Sequence, residues 1–313
     1  MNTITKINTE FLSQALSCVI KSFQMDLIGS DEGYMSEVHR ITLRGNTDLE
    51  SVILKRPSKN QKKLRIATRF NSYNREKYFY ANLSQHSAIR SPRCYFNAKD
   101  DFLLLLEDAG QWPVCDTNIG ASLNQATSAI RHLARFHASY WDRAPTKVAP
   151  FAQGFEAAAL DMPSLTQSLL KTLPQNKAMK FMLHYAKQSI KYLPLFVSQK
   201  QVFSHMDFRL DNIRIKDEEL MVFDWGESSF AAPGCDLAYF IITSLTAKNR
   251  RLWEGTLLST YHRTLGENGV QYDIHEIFNS YRLAIPPIFY LPALVFALGN
   301  QAFGITLSTR CLA

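Results

Sequence analysis

Hydrophobic patterning changes character near Glu107, and that change restricts what this chain of 313 residues can fold into. Before Glu107 the apolar residues alternate or run in short blocks of strand length. Residues 38–43 and 51–55 read as strands with the polar turn Arg44-Gly45-Asn46 between them. Residues 102–106 form a short, fully apolar strand, stopped by Glu107-Asp108-Ala109-Gly110. Residues 66–83 read as one helix, with Phe70, Tyr73, Lys77 and Tyr80 at helical spacing. After Glu107 the period is mostly helical, as in Leu123, Ala126, Ile130, Leu133, His137 and Tyr140. A small strand group at 202–204, 213–215 and 220–223 interrupts it. The expectation is an α+β chain: a strand-rich part, 1–107, and a larger, mainly helical part, 108–313.

Composition removes several classes. Apolar residues at 46% and charged residues at 20% are ordinary for a globular chain and exclude wholesale disorder. The five cysteines are scattered without CxxC spacing, so neither a zinc ribbon nor a disulfide framework is expected. That usage fits a reducing compartment, and a cytoplasmic location is expected. The N-terminus reads as an amphipathic helix, with Phe11, Ala15, Cys18 and Ser22 on one face, rather than as a signal peptide. The apolar stretch 284–298 is short for a bilayer and contains Pro286, Pro287 and Pro292, so it reads as core or pocket wall. No membrane partner is expected. Lys55, Arg56, Lys59, Lys62, Lys63 and Arg65 form a basic segment without interleaved aromatics. It reads as a solvated loop, and no nucleic-acid partner is expected. The net charge of +7 permits anionic ligands.

The chemistry is concentrated in residues 204–212, Ser-His-Met-Asp-Phe-Arg-Leu-Asp-Asn, and 222–226, Val-Phe-Asp-Trp-Gly. Phosphoryl transfer from ATP needs a carboxylate for the acceptor's hydroxyl proton, Mg²⁺ on the phosphates and a cation near the γ-phosphate. Asp207 suits the first task at the head of a tight loop. Asn212 can offer an amide oxygen, and Asp224, at a strand end, a carboxylate to the same metal. His205 would brace the loop. Asp211 reads as a turn-former, and His137 as a packed, hydrogen-bonded core histidine.

This pattern resembles the aminoglycoside phosphotransferase and choline kinase superfamily. It is most similar to the ecdysteroid kinase-like (CHK kinase-like) small-molecule kinases. The resemblance implies a bilobal protein-kinase-like fold with a β-rich N-lobe and a helical C-lobe. Residues 32–40 look like the nucleotide-covering loop, with Gly33 and Ser36 on ATP. Lys55 looks like the ATP-binding lysine and Glu76 like its partner on a helix. Residues 105–108 look like the hinge, whose backbone near Glu107 would meet adenine. Arg209 occupies the place of a phosphate-facing lysine, or is a plain surface arginine. Residues 234–240 continue the likeness, with Asp236 at a position that supports the catalytic loop. Met206 stands where relatives often have glycine, and the covering loop lacks the full GxGxxG pattern.

The implied activity is ATP- and Mg²⁺-dependent phosphorylation of a hydroxyl on a small molecule. Beyond Leu237 the chain has four acids against six Lys and Arg. That is a poor trap for a polycation. Tyr281, Ile285, Ile288, Phe289, Tyr290, Leu291 and Phe296 suggest walls for a neutral, partly apolar alcohol. The rival readings are an aminoglycoside-type antibiotic phosphotransferase and a nucleotide-binding pseudokinase or interaction module.

Overall fold

The computed structural model describes residues 7–28, 35–141, 143, 151–173 and 176–312. Contacts divide the chain into two compact units, Met1–His86 with Ser91–Trp112, and Ser87–Arg90 with Pro113–Ala313. The break therefore falls after Trp112, beyond the expected Glu107. The cause is Asp108, whose carboxylate accepts from Arg40 Nε at 2.6 Å, Ser51 Oγ at 2.7 Å and the Gly110 N–H at 2.9 Å. These bonds keep the residues after the strand with the first unit. Arg90 belongs to the second unit because its carbonyl accepts from the Val222 N–H at 2.8 Å.

Burial alone would raise the Asp108 pKa, but the bonds from Arg40 and Ser51 outweigh it and hold the carboxyl below its usual range. A depressed carboxyl stabilises the fold above the unfolded-chain pKa of about 3.9, and the effect fades as pH falls through the folded value. Arg40 is 42% exposed and contributes little. Asp108→Ala is expected to cost about 2 kcal/mol at pH 7, mainly from the bereft Ser51 and Gly110 donors. The gap between parent and variant in urea titrations should narrow as pH falls below about 3.9.

In the first unit, α1 (Thr9–Leu16) precedes strands β1 (Val19–Ile28), β2 (Ser36–Asn46) and β3 (Ser51–Pro57). Helices α2 (Gln61–Arg69) and α3 (Ser72–Asn82) follow, then β4 (Cys94–Asn97) and β5 (Leu104–Glu107). The sheet is antiparallel with order β1-β2-β3-β5-β4. Ile41 and Leu43 on β2, Val52 and Leu54 on β3 and Leu105 on β5 alternate onto one face and pack with Leu12 of α1.

Three expectations change here. The first helix ends at Ser17, in the left-handed region at φ 53°, so Cys18 and Ser22 do not continue it. Pairing with β2 draws the following residues into a strand, beyond what local periodicity reveals. Gly45 permits this pairing, since a Cβ there would meet the Val19 carbonyl oxygen at 2.1 Å. The helix expected over 66–83 is two, divided at Asn71 with φ 58°. The basic segment is not a loop: Lys62, Lys63 and Arg65 lie on α2, capped by Asn60, whose side chain accepts the Lys62 and Lys63 N–H groups.

The second unit opens with α4 (Leu123–Ser139), capped by a reciprocal Ser122–Gln125 box. Helices α5 (Phe151–Leu170) and α6 (Lys177–Val197) follow. Then come β6 (Val202–Ser204), β7 (Ile213–Lys216), β8 (Glu219–Val222) and β9 (Ser229–Ala231). β7 and β8 form the expected hairpin, while β9, which pairs with β6, was not visible in the pattern. The chain ends in α7 (Gly234–Ser244), α8 (Ala247–Glu267), α9 (Ile274–Ile288), α10 (Tyr290–Ala297) and α11 (Gln301–Leu312).

Pro286 and Pro287 do not break the helix where expected; they lie in the last turn of α9, which stops at Phe289. Among the described residues, Ile274–Ala297 is long and apolar enough to cross a membrane by length and composition, with mean hydropathy 1.3. Within it, Phe289 and Ala293 pack in a core cluster with Met162, Leu169, Met179 and Met182. Tyr281, Ile288 and Phe289 are therefore core residues rather than pocket wall. All five cysteines are free, and burial pushes Cys94 and Cys311 up to about 12.

Candidate active site

In the first unit the alternation of β3 decides where Lys55 goes. Val52 and Leu54 face the core shared with α1, so Lys55 projects from the opposite face. Arg75, Glu76, Phe79 and Tyr80 form the buried side of α3 at helical spacing. Lys55 Nζ donates to Glu76 Oε1 at 2.7 Å, and the two side chains are only 9% and 2% exposed. A buried pair of this kind resists loss of either partner. Glu76→Ala is expected to cost about 3 kcal/mol, read as a shift in the denaturation midpoint, because it removes the carboxylate that the buried Lys55 ammonium faces.

Ser36 opens β2 opposite Pro57. Beside it the Tyr73 hydroxyl donates to the Met35 carbonyl at 2.7 Å and accepts from the Ser58 N–H at 3.1 Å. Tyr73 is stacked on Phe102, with ring centroids 4.3 Å apart. Gly33 lies outside the described residues. Glu107 is the last residue of β5, one beyond the strand expected over 102–106; its N–H donates to the Arg93 carbonyl at 2.8 Å and its carboxylate accepts from the Arg93 N–H at 3.0 Å. That N–H is committed to the sheet and is not the group that would meet a base.

In the second unit, the β7–β8 hairpin joins residues that are apart in sequence. Ile213 pairs with Val222, and at the open end the Phe223 N–H donates to the Asn212 carbonyl at 2.9 Å. This brings Asn212 and the segment carrying Asp224 together. Asp224 takes the left-handed conformation, φ 60° and ψ 68°. Trp225 behind it is fully buried, donates Nε1 to the Val222 carbonyl at 3.1 Å and meets the His205 ring edge-on at 4.6 Å.

Both oxygens of Asp207 are held. Asn212 Nδ2 donates to Oδ2 at 2.8 Å, and Arg209 Nε donates to Oδ1 at 2.9 Å. Asn212 Nδ2 also donates to the Asp207 carbonyl at 2.9 Å. Burial is the main force raising the Asp207 pKa, and the nearby Asp224 carboxylate adds to it; Arg209, His205 and Asn212 oppose the rise without cancelling it.

The loop that carries Asp207 is braced from beneath. His205 donates Nε2 to the Phe223 carbonyl at 2.8 Å and accepts from the Asp207 N–H at 3.2 Å through Nδ1. Met206 sits at φ 66°, an uncomfortable position for a side chain with a Cβ. Asp236, at the first turn of α7, holds it there by accepting the His205 and Met206 N–H groups, each at 2.7 Å. Asp236 also meets His137 Nε2 at 3.1 Å, and His137 Nδ1 meets the Tyr261 hydroxyl at 2.7 Å. His137 is fully buried, which agrees with the reading of a packed core histidine.

The donors suit a hard divalent cation. Asn212 directs its amide nitrogen at Asp207, so its oxygen is the group left for a ligand, and Asp224 supplies a carboxylate. Among the described residues no group of three or more His, Cys, Asp or Glu has the arrangement of a metal site. A set of one carboxylate and one amide instead fits Mg²⁺, which keeps waters and takes phosphate oxygens as its other ligands.

Two neighbours escaped the sequence reading. Asp211 is more than a turn-former: it pairs with Arg209 Nη1 and accepts from Thr117 Oγ1. Tyr239, one helical turn beyond Asp236, has its phenol pushed well above the usual range by burial and then by the Asp207 and Glu227 carboxylates.

The family profile described as ecdysteroid kinase-like matches residues 30–271. The chain belongs to the ecdysteroid kinase-like family. It is thus a small-molecule kinase-like phosphotransferase, and the family match runs past residue 240, where recognisable motifs ended. No curated protein sequence matches the chain. Among solved structures, the fold of this ecdysteroid kinase-like chain is similar to choline kinase from Cryptosporidium parvum Iowa II. That match has a TM-score of 0.61 at 12% identity and covers 99% of this chain and 90% of the other. A macrolide 2'-phosphotransferase type I gives 0.54 at 14% identity, covering 99% of each chain. The streptomycin–ATP–APH(2")-IIa ternary complex gives 0.53 at 12% identity, covering 99% and 97%. These likenesses agree on a protein-kinase-like α+β fold.

Proposed function

We propose that the chain transfers the γ-phosphoryl group of ATP to a hydroxyl of a neutral or partly apolar small molecule. The observation that carries this reading is the fixed Asp207 carboxylate, with Asn212 bonded to it and Asp224 close by. Asp207 would orient the acceptor hydroxyl and take its proton. Asn212 and Asp224 would hold Mg²⁺, which neutralises phosphate charge when bound. Lys55, fixed by Glu76, would grip the α- and β-phosphates, with Gly33 and Ser36 in the covering loop. Backbone groups after Glu107 would meet adenine. Arg209 orients Asp207 and places positive charge beside the transferred group. His205 and Asp236 keep the loop in register.

In the step itself the acceptor oxygen bonds to the γ-phosphorus as the bond to the bridging oxygen of ADP breaks. The hydroxyl proton passes to Asp207 and then to solvent. The ATP complex of a solved relative supports the nucleotide. The acceptor class rests on the acids of the last helices, which are mostly engaged. Glu254 accepts from the Tyr281 hydroxyl at 2.6 Å and faces Arg250, Glu267 faces Arg263, and Asp273 caps α9. Few carboxylates remain for a polycation.

The test is ADP release from Mg·ATP with macrolides, aminoglycosides, choline-like amines and neutral polycyclic alcohols. Fastest turnover with a neutral or partly apolar alcohol is expected. Fastest turnover with an aminoglycoside would overturn the acceptor class, and no acceptor-dependent turnover would favour the pseudokinase reading.

A further inference from the structure

The C-terminal helix α11 reaches the catalytic loop by two routes. Phe303, Leu307 and Arg310 lie at helical spacing, and each is at least partly buried. By the first route, the Phe303 ring faces the Arg209 guanidinium, 5.9 Å from its centroid. By the second, Arg310 carries its charge into the interior, where it is only 7% exposed. Among the described residues no carboxylate pairs with it. It donates instead to three carbonyls: Thr243 at 2.5 Å, Thr117 at 2.5 Å and Asn118 at 3.1 Å.

Those carbonyls locate a loop whose side chains continue the connection. Thr117 Oγ1 donates to Asp211 Oδ1, and the other Asp211 oxygen accepts from Arg209 Nη1. Arg209 Nε then holds Asp207 Oδ1. Other bonds support the same loop. Gly120, at φ 82°, turns the chain so that the Ala121 N–H reaches the Ser244 carbonyl at 2.8 Å. The Ser244 hydroxyl accepts from the Leu210 N–H at 3.0 Å, within the catalytic segment. Two otherwise separate segments are thus fastened to the end of α7.

We propose that Thr117 and Arg310 are positioning residues for phosphoryl transfer, acting through Asp211 and Arg209 to set the plane of the Asp207 carboxylate. A buried arginine that only joined helices would be a costly choice, since an apolar side chain fills such a site without a desolvation penalty. Here the charge fixes two backbone carbonyls beside Thr117. Arg209 on its own is a flexible side chain with many rotamers; Asp211 on one side and Phe303 on another leave it one direction for Nε. The proposal rests on the reading of Asp207 as the group that takes the acceptor proton.

The test uses the full chain with Mg·ATP and whichever alcohol of the acceptor panel turns over fastest. Thr117→Val keeps the shape and the backbone carbonyl that Arg310 binds, so the fold should survive; melting curves check this. Expected are a fall in kcat of about tenfold or more with KM for ATP unchanged, and recovery in Thr117→Ser. In an Arg209→Met background, Thr117→Val should change kcat by less than about twofold, because it acts through Arg209. Arg310→Lys should reproduce the kcat loss, again with KM for ATP unchanged. Unchanged kcat in Thr117→Val, or the same factor in both backgrounds, would overturn the proposal. A parent enzyme with no acceptor-dependent turnover overturns the phosphotransfer reading, and the positioning roles fall with it.

Discussion

Asp207→Asn lowers kcat by about a hundredfold or more while leaving the affinity for Mg·ATP within about threefold. The split follows from what each atom does. An amide oxygen at this position still accepts from Arg209, but an amide cannot take the acceptor's proton. The loop keeps its shape, because Asn212 also binds the Asp207 carbonyl, which the substitution does not touch. The proposed metal donors Asn212 and Asp224 and the Lys55–Glu76 pair remain. Single-turnover kinetics with saturating nucleotide separate the chemical step from binding. Retention of near-parental kcat would remove Asp207 from its assigned role.

The second large effect is on stability. Asp236→Ala is expected to destabilise the second unit by about 5 kcal/mol. Asp236 is fully buried and accepts three hydrogen bonds, from the His205 and Met206 N–H groups and from His137. Truncation leaves those donors without acceptors in a place water does not reach. It also frees Met206 from φ 66°, so the loop loses the conformation that aims Asp207. Urea or thermal unfolding followed by tryptophan fluorescence checks this, since Trp225 packs against His205. A loss below about 1 kcal/mol would show that the loop does not depend on this carboxylate.

The parts of the fold that were legible in the sequence are those set by local signals. The β2–β3 hairpin followed from alternation, although Arg44-Gly45-Asn46, expected as its turn, extends β2 beside β1 and the link lies at 47–50; α4 followed from its period. The candidate site was legible as a group of residues because Asp207 and Asn212 share one loop, and Asp224 needed only the β7–β8 hairpin to approach them. The buried Lys55–Glu76 pair could be anticipated from the apolar residues around Lys55 together with the family resemblance.

What was hidden depends on partners far along the chain. Ser17 ends α1 because the next residues pair with β2, a contact that no window around Ser17 contains. Asn71 divides α2 from α3 with a single left-handed residue inside a run that otherwise keeps helical spacing. Asp108 looked like part of a strand stop, yet it draws in Arg40 and Ser51 and moves the boundary between the units. Arg209 read equally well as a surface residue; only Asp211, Thr117 and Phe303 give it a fixed direction. The prolines of α9 misled because, although each withholds an N–H from the helix, they fall in its last turn, which closes with the Phe289 N–H on the Pro286 and Pro287 carbonyls.

The measurement that tests the central claim most directly is phosphorus NMR of the full chain with Mg·ATP and the best acceptor alcohol. The account predicts a new phosphate monoester resonance that grows in step with ADP and is absent in Asp207→Asn. ATP left intact with every acceptor, or converted only to ADP and inorganic phosphate, would contradict it.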